Sequence, residues 1–412
     1  MTVTLDSVCS AIISLENSAF DLSDDVEELA KHPETHTQIL QALSERVKSD
    51  PSFRDDIDDF GILQALMDHL GEEVAFVHLL LAICGNHRGL RQVVGSSLIV
   101  KVGVFQSLTE SPATSGNSKA DLYRFANHLC KGIVSNKKIF LSLIPSLIRS
   151  LAAIPVNPDP TSLSLLCTLL RDDDRDFRSD PCVVMARNQA LEDGGFELLR
   201  TVLKAASVKD ELQSYALILL NEISCSQAHS KTLAVEDGHL GWVKKSITDY
   251  QGTGNIRMIV DCMKLLRTWS FSDELKDEIM STVYETSGRL IAASQSDSVV
   301  CCCFFAILAN ISLRRPETAS NILKDINGLD IIIDKVTRQG ATHEGFQSCL
   351  QYVRTLARSN HGLEALTYLG DRFCILSEDR SLIDAQRRLA SEIASKLRSD
   401  YSQTAQGLTE EN

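Results

Sequence analysis

GLDIIIDKVT, residues 328–337, opens on a glycine and continues with apolar side chains three and four positions apart, the spacing of an amphipathic helix. A short polar break follows, then EGFQSCLQYVRTLA at 344–357, a more apolar helical stretch. The same two-part phrase occurs as GGFELLRTVL (194–203) with DELQSYALILLNEI (210–223), and as GILQALMDHL (61–70) with EVAFVHLLLAIC (73–84). Weaker copies fill the gaps: VGVFQSLTE with DLYRFANHLCKGI, LIPSLIRSLAAI with TSLSLLCTLL, GWVKKSITDY with IRMIVDCMKLLRTW, and SGRLIAASQ with SVVCCCFFAILANI. With a last pair between Gly370 and Leu397, this makes about eight units spaced by about 40–47 residues, the period of helical solenoids. The longer helices are apolar nearly all round, as the buried layer of a stacked array requires.

Repetition also answers the question of size. A chain of 412 residues exceeds one ordinary compact core, but an array grows without enlarging its core. The reading is therefore all-α, one elongated solenoid over 55–398, preceded by an acidic helical cap at 1–54 and followed by a polar tail at 399–412. CGNHRGLRQVV (84–94) and RSNHGLEAL (358–366) both place Asn-His before Gly, which predicts joints in left-handed backbone conformation.

Composition narrows the function. Hydrophobic residues at 44% and only nine prolines argue for a folded chain. A net charge of −14 repels phosphate backbones, and no Lys/Arg stripe with interleaved aromatics offsets it, so nucleic acid is not an expected partner. Residues 1–60 alone hold fourteen Asp/Glu against four Lys/Arg, a solvated face or a docking site for a basic partner. The twelve cysteines mostly sit among Leu, Ile and Ala, like small core residues in a reducing compartment. The longest uncharged apolar run, Val299 to Ala309, is too short for a bilayer, and MTVTLDSVCSAIISLEN does not read as a secretory signal. The expectation is a monomer in the cytosol, with the nucleus as a second location, and no membrane contact.

No catalytic motif emerges. GxxxxGK[ST], GxGxxG and GxSxG are all absent. RDDDRDFRSD at 171–180 gives Asp172, Asp174 and Asp176 the one-three-five spacing of a calcium loop, but the sixth position is Phe177 rather than Gly and the twelfth is Val183 rather than Glu. It reads as a solvent-accessible insertion between the units that start near Ile144 and Gly195. His32 and His36 in HPETH stand four apart, yet Pro33 breaks a helix there and no third ligand is near. No metal, cofactor or catalytic residue is expected, and the chain reads as a non-enzyme.

The three-helix unit with a Gly-led second helix resembles the armadillo repeat, and the chain is similar to the armadillo-repeat-containing protein six family. The phrases that carry this are DDD at 172–174 followed by MARNQALEDGGFELL (185–199), then LRRPETASNILKDINGL (313–329) and CLQYVRTLA (349–357). The family's His-rich stretch after DDD is replaced here by RSDPCVVM, so no metal role carries over. The resemblance implies a right-handed superhelix and a protein-binding scaffold, with stacked third helices lining a concave groove.

In armadillo proteins an asparagine late in the third helix often holds the partner's backbone. That alignment implicates Asn221 and Asn310, with Thr268 and Thr355 in other units, and Gln213 joins them as a further polar position. Gln347, Gln351 and Thr355 follow at helical spacing of four, so they share one face while Leu350, Val353 and Leu356 turn inward. The same residues could instead bond only their neighbours. A nuclear-import adaptor would carry Trp four residues before each groove Asn; those positions are Leu217 and Ala306, which disfavours that role. A regulator or chaperone of a small GTPase is the other alternative.

Overall fold

The computed structural model describes Cys84, Arg91, Gln92, Val94 and residues 116–410, apart from 154–158, 172–180, 205–209, 226–229 and 250–255. The acidic segment 1–54, HPETH, the Asp-rich stretch from Asp172 onward and the first Asn-His-Gly joint lie outside these residues. Every regular element described is helical, and no described helix is long and apolar enough to cross a membrane. Two compact units divide the chain, Met1–Leu198 and Leu199–Asn412.

In the first unit run α1 (Gly116–Cys130), α2 (Val134–Phe140), α3 (Ile144–Ala153), α4 (Pro160–Leu170) and α5 (Pro181–Glu192). Ile144, Leu147, Ile148 and Leu151 turn one side of α3 toward α4 and α5. Asp159 starts α4: its carboxylate accepts from the backbone N–H of Thr161 at 3.3 Å and of Ser162 at 3.0 Å, and Pro160 fills the first helical position. The end of α4 is capped by cations. Arg187 Nε donates to the Leu170 carbonyl at 3.0 Å and Lys137 Nζ to that of Arg171 at 2.6 Å, serving carbonyls that no helical turn follows.

Helix α6 (Gly195–Lys204) carries the chain into the second unit. There follow α7 (Asp210–Ser224), α8 (Ser230–Glu236), α9 (His239–Thr248), α10 (Ile256–Trp269), α11 (Lys276–Ser296), α12 (Ser298–Ile311), α13 (Pro316–Asp325), α14 (Leu329–Gln339), α15 (Phe346–Leu356), α16 (Asn360–Leu366), α17 (Gly370–Glu378) and α18 (Asp384–Glu410). The long third helices form one continuous layer, α7 on α10, α10 on α12, α12 on α15 and α15 on α18. A second layer runs α9, α11, α14. Helix α12 is buried nearly all round, as its composition demands. Phe304, Phe305 and Tyr352 form a tilted chain of rings with centroids 6.1 and 6.2 Å apart, and the Tyr352 hydroxyl donates to the Ala319 carbonyl at 2.9 Å.

The glycine reading needs three corrections. Gly194 and Gly328 do stand in left-handed conformation before α6 and α14, at φ 88° and 86°. In GWVKKSITDY the residue with this role is Gly238, φ 84°, and Gly241 lies inside α9. In SGRLIAASQ there is no joint at all: α11 runs unbroken from Lys276 to Ser296 with Gly288 inside it. At RSNHGLEAL the expected left-handed joint is absent: Asn360, His361 and Gly362 open α16, Ser359 caps it by accepting from the Gly362 N–H at 3.0 Å, and Gly362 is needed because a Cβ there would collide with the Leu356 carbonyl oxygen. The segment expected as a polar tail continues α18 to Glu410; without proline and with a single glycine, Gly407, it holds no breaker.

Seven cysteines, Cys84, Cys130, Cys167, Cys262, Cys301, Cys303 and Cys349, are buried as expected, whereas Cys225 is exposed just past the end of α7. Burial pushes the Cys301 thiol up to about 12 and the Cys303 thiol up to about 11. Such thiols are inert small apolar groups at neutral pH.

Candidate protein-binding face

The third helices of the second unit each turn one stripe outward between their neighbours. On α10, Asp261 and Thr268 lean toward α7: Ser214 donates to the Asp261 carboxylate at 2.5 Å, and the Thr268 hydroxyl donates to Asn221 Oδ1 at 2.6 Å. On its other side Arg267 and Lys264 lie close to Cys303 of α12 and draw its thiol down against the rise that burial imposes. The stripe between these contacts carries Arg257 and Lys264, both exposed. On α12, Asn310 Nδ2 donates back to Ser270 Oγ at 2.9 Å, and Cys302 Sγ lies 3.8 Å from Ser348 Oγ of α15, which leaves Ala306 between them on the outward stripe.

On α15 the stripe is Gln347, Gln351 and Arg354. Leu350, Val353 and Leu356 are fully buried on the opposite side. Gln351 is exposed; Gln347 is half-buried with its Oε1 enclosed and unpartnered. Thr355 shares the direction but is only 7% exposed, and its hydroxyl donates to the Gln351 carbonyl at 3.2 Å within its own helix. Its role is local. Arg354 and Arg358 reach Glu392 of α18 at 2.8 and 3.4 Å. These guanidiniums, Arg354 first, hold the Glu392 carboxyl below the usual range.

Of the seven positions singled out in the sequence, Gln213 is half-buried on α7 and stands eight residues before Asn221, the register that Cys302 has before Asn310 and Gln347 before Thr355. Leu217, Leu220 and Ser224, which follow it along the helix, are buried. The remaining polar residues are joined in part to one another: Asn221 holds Thr268, and Asn310 holds Ser270. Asn221 uses its oxygen for this and has no acceptor for its amide N–H among the described residues.

Sequence reasoning passed over Asn127 and Thr168. In the first unit the Thr168 hydroxyl donates to Asn127 Oδ1, and Asn127 Nδ2 donates to Ser164 Oγ at 2.9 Å. The pair repeats the Asn221–Thr268 geometry, and the signal was present: successive third helices alternate Asn127, Thr168, Asn221, Thr268, Asn310, Thr355. An alignment tuned to asparagine alone treats the threonines as losses instead of partners.

No known family pattern and no curated protein matches the sequence. Solved structures do. An engineered protein, 16% identical, aligns over 92% of this chain and 99% of its own with a TM-score of 0.62. β-Catenin, from a study of the phosphorylation switch in cadherin binding, is 14% identical over 95% of this chain and 77% of its own, with a TM-score of 0.63. The fold is an all-α, armadillo-like solenoid. A designed armadillo repeat protein, 13% identical, aligns over 62% of this chain and 99% of its own at a TM-score of 0.49. In this frame the third helices α7, α10, α12 and α15 adjoin in that order without an intervening helix.

Proposed function

We propose that the chain is a non-enzymatic scaffold that holds a segment of a protein partner along the third-helix face of Leu199–Asn412, acting in the cytosol with the nucleus as a second location. The supporting observation is the polar stripe that persists on a layer otherwise buried: Asn221 with an unclaimed amide N–H, Asn310 on the rim of a small-residue floor, and Gln347 and Gln351 on α15. Amide side chains can donate to and accept from an extended backbone regardless of its side chains, which suits a groove that takes unstructured segments. The phrases shared with the armadillo-repeat-containing protein six family belong to the same reading.

A peptide-display selection on the whole protein, repeated on Gln347→Ala/Gln351→Ala, tests it. Among the described residues neither glutamine side chain has a hydrogen-bond partner, so the melting temperature should stay unchanged, while selected peptides lose about 1–3 kcal/mol of binding as amide contacts to a desolvated backbone disappear. A marked drop in melting temperature would make the pair structural. Peptides that bind the double variant as well as the wild type would move the site elsewhere.

A further inference from the structure

The outward stripes differ sharply in charge from the chain as a whole. The protein carries a net charge of −14, and acids extend to α7, with Asp210, Glu211 and Glu222, and to Glu344 just ahead of α15, yet within their own bounds α10, α12 and α15 hold Arg257, Lys264, Arg267 and Arg354 against the single acid Asp261. That acid is spent. It is 7% exposed, accepts the Ser214 hydroxyl and sits 3.7 Å from Lys264 Nζ, facing α7 more than solvent. Arg354 is engaged by Glu392 and Lys264 by Asp261, and Arg267 leans on the Cys303 thiol, but the exposed Arg257 and Arg267 have no carboxylate partner among the described residues. Between α10 and α15 the α12 line is Cys302, Ala306 and Asn310, small and uncharged, with Cys302 and Asn310 half-buried and Ala306 buried, so no bulky or charged side chain of this line stands over it. Exposed guanidiniums kept apart from carboxylates, in a chain with an excess of carboxylates, are a surface matched to an acidic ligand.

We infer that the face over α10, α12 and α15 receives an acidic peptide segment of a partner protein, its carboxylates on Arg257, Lys264 and Arg267 and its backbone on Gln351. The inference rests on the scaffold reading above and adds the chemistry of the occupant. Three helices packed about 10 Å apart are crossed by about six extended residues, so a segment of that length with two or three Asp or Glu suffices. Guanidinium forks take carboxylates two bonds at a time, which gives the acidic residues a preferred register rather than a diffuse attraction.

The test uses the whole protein and labelled twelve-residue peptides in three versions, Asp/Glu-rich, Lys/Arg-rich and Asn/Gln-rich, read by fluorescence polarisation. The acidic version should bind about tenfold more tightly than the neutral one, and the gap should close as salt shortens the Debye length from about 30 Å at 0.01 M to about 8 Å at 0.15 M. Arg257→Glu/Arg267→Glu should abolish the preference. Lys245→Glu/Arg289→Glu, the same charge change at exposed positions on α9 and α11, should leave it. A basic or neutral preference overturns the inference, as does an equal loss in the α9–α11 control, which would mean attraction to the molecule at large. Tighter binding of a single-stranded oligonucleotide of equal charge overturns it too, in favour of a nucleic-acid surface. Display-selected peptides that depend on Gln347 and Gln351 but show no acidic excess would sink the charge inference and leave the scaffold reading standing; loss of the scaffold reading shows instead as indifference to both glutamines.

Discussion

At the scale of single residues, the backbone at Gly328 and Arg314 makes a paired experiment. Both are left-handed, at φ 86° and 62°, and Arg314 is the one non-glycine with positive φ among the described residues. Gly328→Ala should cost about 1–2 kcal/mol, because the added Cβ meets Ile291 only at an ordinary 3.6 Å and the penalty is purely conformational. Arg314→Gly should stabilise by up to about 1 kcal/mol for the same reason reversed. Urea melts of the two variants check both signs. These glycines also show what a sequence can disclose. Gly194 and Gly328 were legible because each stands just before an amphipathic stretch, where a chain must turn. Gly362 looks identical in a string of letters, yet it is there to let its backbone approach Leu356, a contact that exists only once two helices have docked.

Among elements, α4 offers the clearest handle. Burial works to raise the Asp159 carboxyl, but bonds from Ser162 and Thr161 outweigh it and hold the group below the usual aspartate range. A carboxyl depressed in the folded state contributes stability that is fully present above its unfolded value and is lost as pH falls through its folded one. Asp159→Ala should therefore cost about 1 kcal/mol at pH 7, and the gap between variant and wild type should shrink below pH 4, in melts run at both ends of that range. Helix type and order could be read from periodicity; seams could not. The unit built on SGRLIAASQ has the right period and a glycine, and only the φ values reveal that Gly288 is mid-helix and the turn is missing. The proposed stripe was legible only in part. Spacing puts Gln347 and Gln351 on one side of α15 and Gln213 in the register of Gln347, while the burial that sets Gln351 apart from Gln213 and Gln347 depends on neighbouring helices and is not written in the spacing.

For the whole molecule, repetition makes stability a matter of adjacent layers. Phe305→Ala removes a fully buried ring from α12 and should cost about 3–5 kcal/mol. Hydrogen exchange should then quicken in α10, α11 and α15, which touch α12, and leave α7 and α18 near their wild-type protection. A uniform loss across Leu199–Asn412 would show a single cooperative block in its place. The unbroken α11 alters how such an array comes apart. Pulled from its C-terminal end, the second unit first sheds α18, a rod of 27 residues that lies last in its layer, and then α17 and α16 in short lengths, each yielding at the turn that separates it from the next. On reaching Ser296 the tension meets a rod of 21 residues with no seam at which to let go, so this helix acts as a latch, and the layers behind it are released late and together.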